Sequence, residues 1–573
     1  MDEAAPRRRA LVSAALVVLC AAALAAVTFG PLRGDIFLNI DASVKFVQAS
    51  SLYLSGYRSM ALGYPAAGLD PAQMFFPFDP PFAFRSGGQF QSIFPSAFAV
   101  LASVFTWAGP AGLRVLGVVG AAVAAVATAW LPDRRPQWWL APLAIATTPL
   151  WYYSTGAAES TVSVAASTCA FVAALSGIVR RDILAGLLLG IAAIFRDEAL
   201  LLAPGLLFAL GTRSLRPAGI WRFGLATAAP IGAMAVADWI WFDRPPLAHL
   251  RHALPWLNAA LPRSRAVLPE LAPMMWRDRY ETLAHYWWFG DGNTWLLVVA
   301  AGLALAWLLR RHSLGPYVVA TVVAAAVARQ AVDVGPLVAA PRFLTGLLRL
   351  SPFMLFALLP DASGVVQSDR STPSDLSVSN DERRPSCRRV AIVTVVTSVT
   401  LVLLTLTTTG GKGLGPRLTM GLWPLLLAGA WEGLASWVAA ARRLAPARVI
   451  AGGGLLLVAG AVVMELGVAL PALAARTRDD GRALTLVRQI PDRLVVLDDD
   501  VSMQLVGAEY FNRHIVFVAR PDLWAQLGAQ AAAAGETRLL VVSRGPRPQT
   551  AIPPFHFAEE WTVSRYWIGR WVR

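Results

Sequence analysis

The chain has 573 residues, 56% of them hydrophobic and only 15% charged, with a mean hydropathy of +0.53. Soluble domains seldom exceed about half apolar residues, so this composition excludes an ordinary soluble enzyme and indicates a membrane protein with many spans. The net charge of +14 falls mainly in short loops between apolar runs, the distribution of the positive-inside rule, and that excludes nucleic acid as the expected partner.

Arg7, Arg8 and Arg9 precede an apolar stretch from Leu11 to Phe29. It is longer than the roughly 7–15 residues of a signal-peptide core and predicts a first span with a cytoplasmic N-terminus. Basic loops recur at 132–137, 179–182, 213–222, 309–312, 383–389 and 441–448. Placing them all in the cytoplasm predicts spans near 10–30, 111–131, 137–152, 160–179, 183–195, 198–212, 221–241, 294–309, 316–333, 342–360, 390–408, 417–438 and 449–470. These make about thirteen spans, an odd number, so the C-terminus is expected outside a multi-pass inner or plasma membrane. The pair 183–195 and 198–212 is shorter than the roughly 20 residues of a straight span and reads as two half-spans meeting at a polar tip. Segment 93–108, between Pro95 and Gly109-Pro110, reads as a helix lying on the outer surface.

The expected organisation is a transmembrane domain over 1–471, with outer loops 31–110 and 243–292 and a cytoplasmic linker at 361–389, then an extracytoplasmic domain over 472–573. The linker is rich in Ser and Asp and holds few apolar residues. In the tail, Leu494–Asp499, His514–Ala519 and Arg538–Ser543 are β-branched runs separated by helix-like stretches, which predicts a small α/β domain. The tail has neither a GxGxxG nor a Walker pattern. Cys20, Cys169 and Cys387 show no metal-ligand spacing and imply no disulfide framework.

Charged residues at the ends of membrane spans are costly, and so they are candidates for function. Asp41, in the run DASVKFVQASSLYLSGY, is the leading candidate for a general base that takes a proton from an acceptor hydroxyl. Its local alternatives are an i,i+4 pair with Lys45 or a cap on the following helix. Asp35 is the rival acid. Further along the loop, Asp79 and Arg85 are the polar points among Phe75, Phe76, Phe78, Phe82, Phe84 and Phe90, which either dock on the membrane surface or line a groove. At the polar tip, Arg196, Asp197 and Glu198 interrupt an apolar run, and Arg196 can bind a phosphate in bidentate fashion or pair with its acidic neighbours. Glu159 sits at the outer end of another span, where it faces the same cavity or stabilises a helix start. Arg342 and Arg417 open two related segments as phosphate contacts or interfacial anchors, and Lys412 lies on a nearby glycine-rich loop. His249, His252 and His285 are too far apart for a metal motif, and Asp498, Asp499 and Asp500 read as a turn.

Several of these features recur in a fixed order. An acid and an amphipathic run, D-A-S-V-K-F-V-Q-A-S-S-L-Y-L-S-G, follow the first span. A Pro-aromatic segment, a surface helix and Arg114 come next, then Glu159 after a proline-ended span and the kinked G-L-L-L-G-I-A-A-I-F-R-D-E pair. This order over residues 1–360 resembles the GT-C superfamily of membrane glycosyltransferases, which includes protein O-mannosyltransferases and aminoarabinose transferases of lipid A. Many members carry Asp-Glu in the first loop where this chain has Asp41-Ala42, which leaves the subfamily open.

The resemblance implies an α-helical, GT-C-like polytopic fold with an appended outer domain. It also implies a transferase that uses a polyprenyl-phosphate sugar as donor and a glycan, lipid or protein hydroxyl as acceptor. Asp41 would then be the base in an inverting displacement. Arg196, with Lys45, Arg342 and Arg417 behind it, would stabilise charge on the leaving lipid phosphate. A divalent metal stays open as a cofactor. The competing classes are a lipid or glycan transporter or flippase, and a polysaccharide polymerase or ligase.

Overall fold

The structure is a computed structural model that describes residues 4–78, 82–132, 136–156, 158–176, 178–211, 216–242, 244, 293–339, 351–360, 385–405, 417–442, 444–518, 520–548 and 551–573. Asp79, Arg342, Lys412, the histidines at 249, 252 and 285, most of loop 243–292 and most of linker 361–389 lie outside the described residues. Arg417 opens a described 3-10 turn, Arg417–Leu422, but its side chain lies outside the description.

The described part is mainly helical. Its first half runs through α1 (Ala4–Phe29), α2 (Ile40–Leu54), a small hairpin of β1 (Ala83–Ser86) and β2 (Gln89–Ser92), and α3 (Ser96–Ser103). Then follow α4 (Pro110–Thr128), α5 (Leu140–Thr147), α6 (Leu150–Gly156), α7 (Ala158–Leu175), α8 (Arg181–Phe195), α9 (Ala203–Leu210) and α10 (Pro217–Trp241). Among the described residues, five helices are long and apolar enough to cross a membrane: Ala10–Phe29, Pro110–Thr128, Pro217–Trp241, Gly315–Val332 and the rod Pro446–Gln489. The protein is thus a multi-pass membrane protein by length and composition. On α10, Trp221, Leu225, Trp239, Ile240 and Trp241 are all exposed, as expected of a helix whose surroundings are lipid.

Two segments differ from their expected bounds for identifiable reasons. The stretch expected as one span at 137–152 divides into α5 and α6, because Thr148, which precedes Pro149, is extended (φ −130°, ψ 156°); a proline disfavours helical geometry in the residue before it. The expected boundary at 471/472 falls inside a continuous rod, in which the π turn Val463–Ala469 joins Pro446–Val462 to Leu470–Gln489. Leu473, Thr477, Asp480, Leu484 and Val487 are buried at helical spacing on that last segment. It is polar overall, but one stripe is covered, so it continues as an amphipathic helix.

The C-terminal strands form one five-stranded sheet in the order β4-β3-β5-β7-β6. They are β3 (Leu494–Leu497), β4 (His514–Phe517), β5 (Arg538–Ser543), β6 (His556–Val563) and β7 (Tyr566–Val572). β3 pairs in parallel with β4 and β5, and the β6–β7 hairpin closes the other edge antiparallel to β5. All four residues of β3 are buried, the uniform apolar run of a strand covered on both faces.

The segment between α2 and α3 packs against this sheet. Phe75, Phe76, Phe78 and Phe90 are all buried. The Phe517 amide donates to Phe75 O at 2.9 Å, and the rings of Phe78 and Tyr510 lie 5.5 Å apart. These four phenylalanines are covered within the chain and do not face a membrane or an open groove, whereas Phe82 and Phe84 are half-buried.

At the end of β3, Asp499 accepts from the Ser502 amide and the Arg544 amide. Burial, with the Asp499 charge beside it, pushes the Asp498 carboxyl up to about 6. An acid raised in the folded state opposes folding once it is ionised, so its penalty is absent below about pH 4 and complete above about pH 6. Asp498→Asn is therefore expected to raise the midpoint of thermal unfolding in detergent at neutral pH and to leave it unchanged at the acid end. A difference that does not vary with pH would remove Asp498 ionisation as the cause.

Candidate active site

The candidate site is built around α2, a helix that buries polar residues. Asp41, Ser43, Lys45, Gln48, Ser50 and Ser51 are each less than 9% exposed. Buried polar groups need partners: Ser43 Oγ donates to Ile40 O within the helix, whereas Lys45 finds its partner in Glu159, 114 residues away.

The helix is capped by Asn39, whose side-chain oxygen accepts from the Ala42 amide at 2.7 Å and whose Nδ2 donates to Gly156 O at 2.9 Å. One residue thus starts α2 and ties it to the end of α6. Asp41 is not the cap. It lies in the first turn of the helix. Just before α2, the Arg114 guanidinium donates to Leu32 O and Ile36 O and holds the connection from α1.

Lys45 reaches Glu159 rather than its helical neighbour. Its Nζ lies 2.6 Å from Glu159 Oε1 and 4.2 Å from the centre of the Phe94 ring. Glu159 stands in the first turn of α7. Gly117 and Gly120 let α4 approach Ser154 and Thr161 too closely for a Cβ, which seats α6 and α7 where they meet α2.

Arg196 follows α8. Its Nη1 donates to Ser160 Oγ at 2.9 Å and lies 3.4 Å from Glu159 Oε1, while Nε and Nη2 make a bidentate pair with Glu198 at 3.2 and 2.7 Å. The result is an alternating line of charge, Lys45–Glu159–Arg196–Glu198. Most Arg196 donors are occupied, whereas Glu159 takes only one of the three Lys45 donors.

Two clefts flank this line. One is lined by Phe37, Ala42, Lys45, Leu113, Arg114 and Glu159. The other is mostly apolar and is lined by Ser96, Ile194, Asp197, Leu200, Met234 and Asp238.

The remaining candidates lie apart from the charge line. Asp35 is half exposed and pairs with Arg488 of the C-terminal rod at 2.8 Å. Arg85 is exposed, donates to Ala72 O and Gln73 O and stacks over Phe90, so it braces the turn at 70–73. Among the described residues, no three His, Cys, Asp or Glu side chains gather as metal ligands.

Sequence reasoning missed two residues. Gln48 is 1% exposed and neither atom of its amide has a hydrogen-bond partner among the described residues. It is one turn beyond Lys45 and two beyond Asp41 on the same face of α2, a spacing that could have revealed it. Arg244, also buried, donates through Nη2 to Ser92 O and Phe94 O, while its Nε and Nη1 have no partner among the described residues. It falls just beyond α10 with no periodic signal to mark it.

No protein-family model matches the chain, and neither does any curated protein. Solved structures similar to it include two of ArnT from Cupriavidus metallidurans. The crystal structure bound to undecaprenyl phosphate is 14% identical, with a TM-score of 0.44 over 97% of each chain. The apo crystal structure is 12% identical, with a TM-score of 0.47 over 98% of each chain.

Proposed function

We propose that the protein is a membrane glycosyltransferase that moves a sugar from a polyprenyl-phosphate donor to a hydroxyl acceptor on the outer face of the membrane, with inversion. The observation that carries this reading is the buried face of α2, where a carboxylate, an ammonium and an amide sit at positions 41, 45 and 48 and the lysine lines a cleft. The order of sequence motifs resembling the GT-C superfamily supports the same reading.

An inverting transfer needs two opposite charges close together. A carboxylate takes the proton of the acceptor oxygen as it attacks the anomeric carbon, and a cation meets the negative charge that develops on the departing phosphate. Asp41 is assigned the first role. For the second we put Lys45 ahead of Arg196, because the Lys45 amine keeps donors to offer while most of those on Arg196 are held by Glu198, Glu159 and Ser160. Glu159 holds Lys45 in place. Arg342, Arg417 and Asp79 stay candidates from the sequence.

The test is transfer of radiolabelled sugar in membranes containing the full chain, from undecaprenyl-phosphate sugars to a panel of glycan, lipid and protein acceptors. Transfer that depends on the chain is the expected result. No transfer from any donor, with labelled lipid crossing the bilayer instead, would overturn the reading in favour of a transporter.

A further inference from the structure

We propose that the C-terminal part of the chain sets the position of α2, and that Gly507 is the positioning residue on which α2 rests. The inference builds on the assignment of Asp41 to α2 above. It gives the C-terminal sheet a role in the reaction rather than leaving it as an appendage.

The contact is close at Gly507. A Cβ built there would meet Ser43 Cβ at 2.8 Å and the Phe37 ring at 3.2 Å. The Gly507 backbone (φ −58°, ψ −28°) suits any residue, so space, and not conformation, requires glycine here. Ser43 is completely buried and lies two residues beyond Asp41 on the same helix. It has no room to yield.

The grip extends to both ends of α2. Before the helix, the Phe37 amide donates to Gln504 O at 3.0 Å and Asp35 pairs with Arg488. Near its far end, Ser51 Oγ accepts from the Gly63 amide at 3.0 Å, and Gly63 O in turn accepts from Tyr510 Oη at 2.8 Å. Ile40, Val44 and Val47 of α2 share one hydrophobic core with Val495, Leu497, Met503 and Val506. Residues 504–510 thus bond to the chain just before the helix that carries the proposed base and, through Gly63, to Ser51 near its far end.

A displacement of about 1 Å at a reacting group can cost roughly 100-fold in rate. Gly507→Val in the full chain is expected to lower kcat by about that factor with little change in KM for the lipid donor, and to speed amide hydrogen exchange over residues 40–54. Gly507→Ala is the milder variant, and combining it with Ser43→Gly removes the opposing Cβ. The double variant should return to within about threefold of Ser43→Gly alone in both readouts, the coupling expected of two residues in contact.

Wild-type exchange over 40–54 in Gly507→Val would overturn the proposal, as would failure of Ser43→Gly to rescue Gly507→Ala. If the wild type transfers sugar from no donor, exchange over 40–54 alone decides the seat, so the docking and the glycosyltransferase reading fail or stand separately.

Discussion

Asp41→Asn is expected to lower kcat for sugar transfer by about 100- to 10,000-fold, the range typical of removing a general base. Asparagine keeps the size and most of the hydrogen bonding of aspartate but cannot accept the acceptor's proton. Asp41 is 8% exposed and lies inside the first turn of α2, whose N-terminus Asn39 caps. The substitution therefore leaves the helix start intact, and the fold should survive. The measurement is initial rate against donor concentration in membranes with matched protein levels. Loss in kcat at constant KM supports the base assignment. Equal rates would remove Asp41 and shift the role to Asp35 or Glu159, the first held by Arg488 at the surface and the second by Lys45 in the interior.

The second large effect concerns Glu159. Its carboxylate lies between Lys45 and Arg196, and its side chain is only 3% exposed. Glu159→Gln removes the counter-charge that the two cations share. Breaking a buried pair in this way costs about 3–5 kcal/mol, because an uncompensated charge stays behind. The variant is expected to unfold at lower temperature in detergent and to lose transfer. Removing both charges with Lys45→Met and Glu159→Leu should recover much of the stability, since well-packed apolar residues often replace a buried pair at little cost. It should not recover the rate if Lys45 serves the leaving phosphate. A double variant that transfers at the wild-type rate would reduce the Lys45–Glu159 pair to a structural contact.

Parts of this site were legible in the chain itself. An acid and a lysine on an otherwise amphipathic run after a first span, and three charges breaking the apolar run at 196–198, stand out because ionisable groups are expensive beside lipid. The spacing of Asp41 and Lys45 also allowed a local pair. Such i,i+4 pairs contribute only about 0.2–0.5 kcal/mol, and the structure joins Lys45 to Glu159, 114 residues away. Nothing local announces a partner at that distance.

The tail shows the same division. The apolar runs that became β3, β4 and β5 could be read because strands covered on both faces are uniformly hydrophobic. The β6–β7 hairpin escaped notice. β6 exposes His556, Glu559 and Glu560 at the edge of the sheet, and its mixed composition reads as loop. Likewise the buried phenylalanines between Phe75 and Phe90 announced a need for cover without naming it.

Composition, charge placement and periodicity by themselves determined that this is a multi-pass helical membrane protein, roughly where its helices lie, and which polar residues were too costly to be idle. These are one-body properties, set by each residue's preference for water, lipid or a helical turn. Only the tertiary structure decided which charges meet, that Asn39 rather than Asp41 caps α2, and that Gly507 gives that helix its seat. Such contacts, from Lys45 with Glu159 to Ser43 with Gly507, depend on distances in space that a linear pattern does not contain.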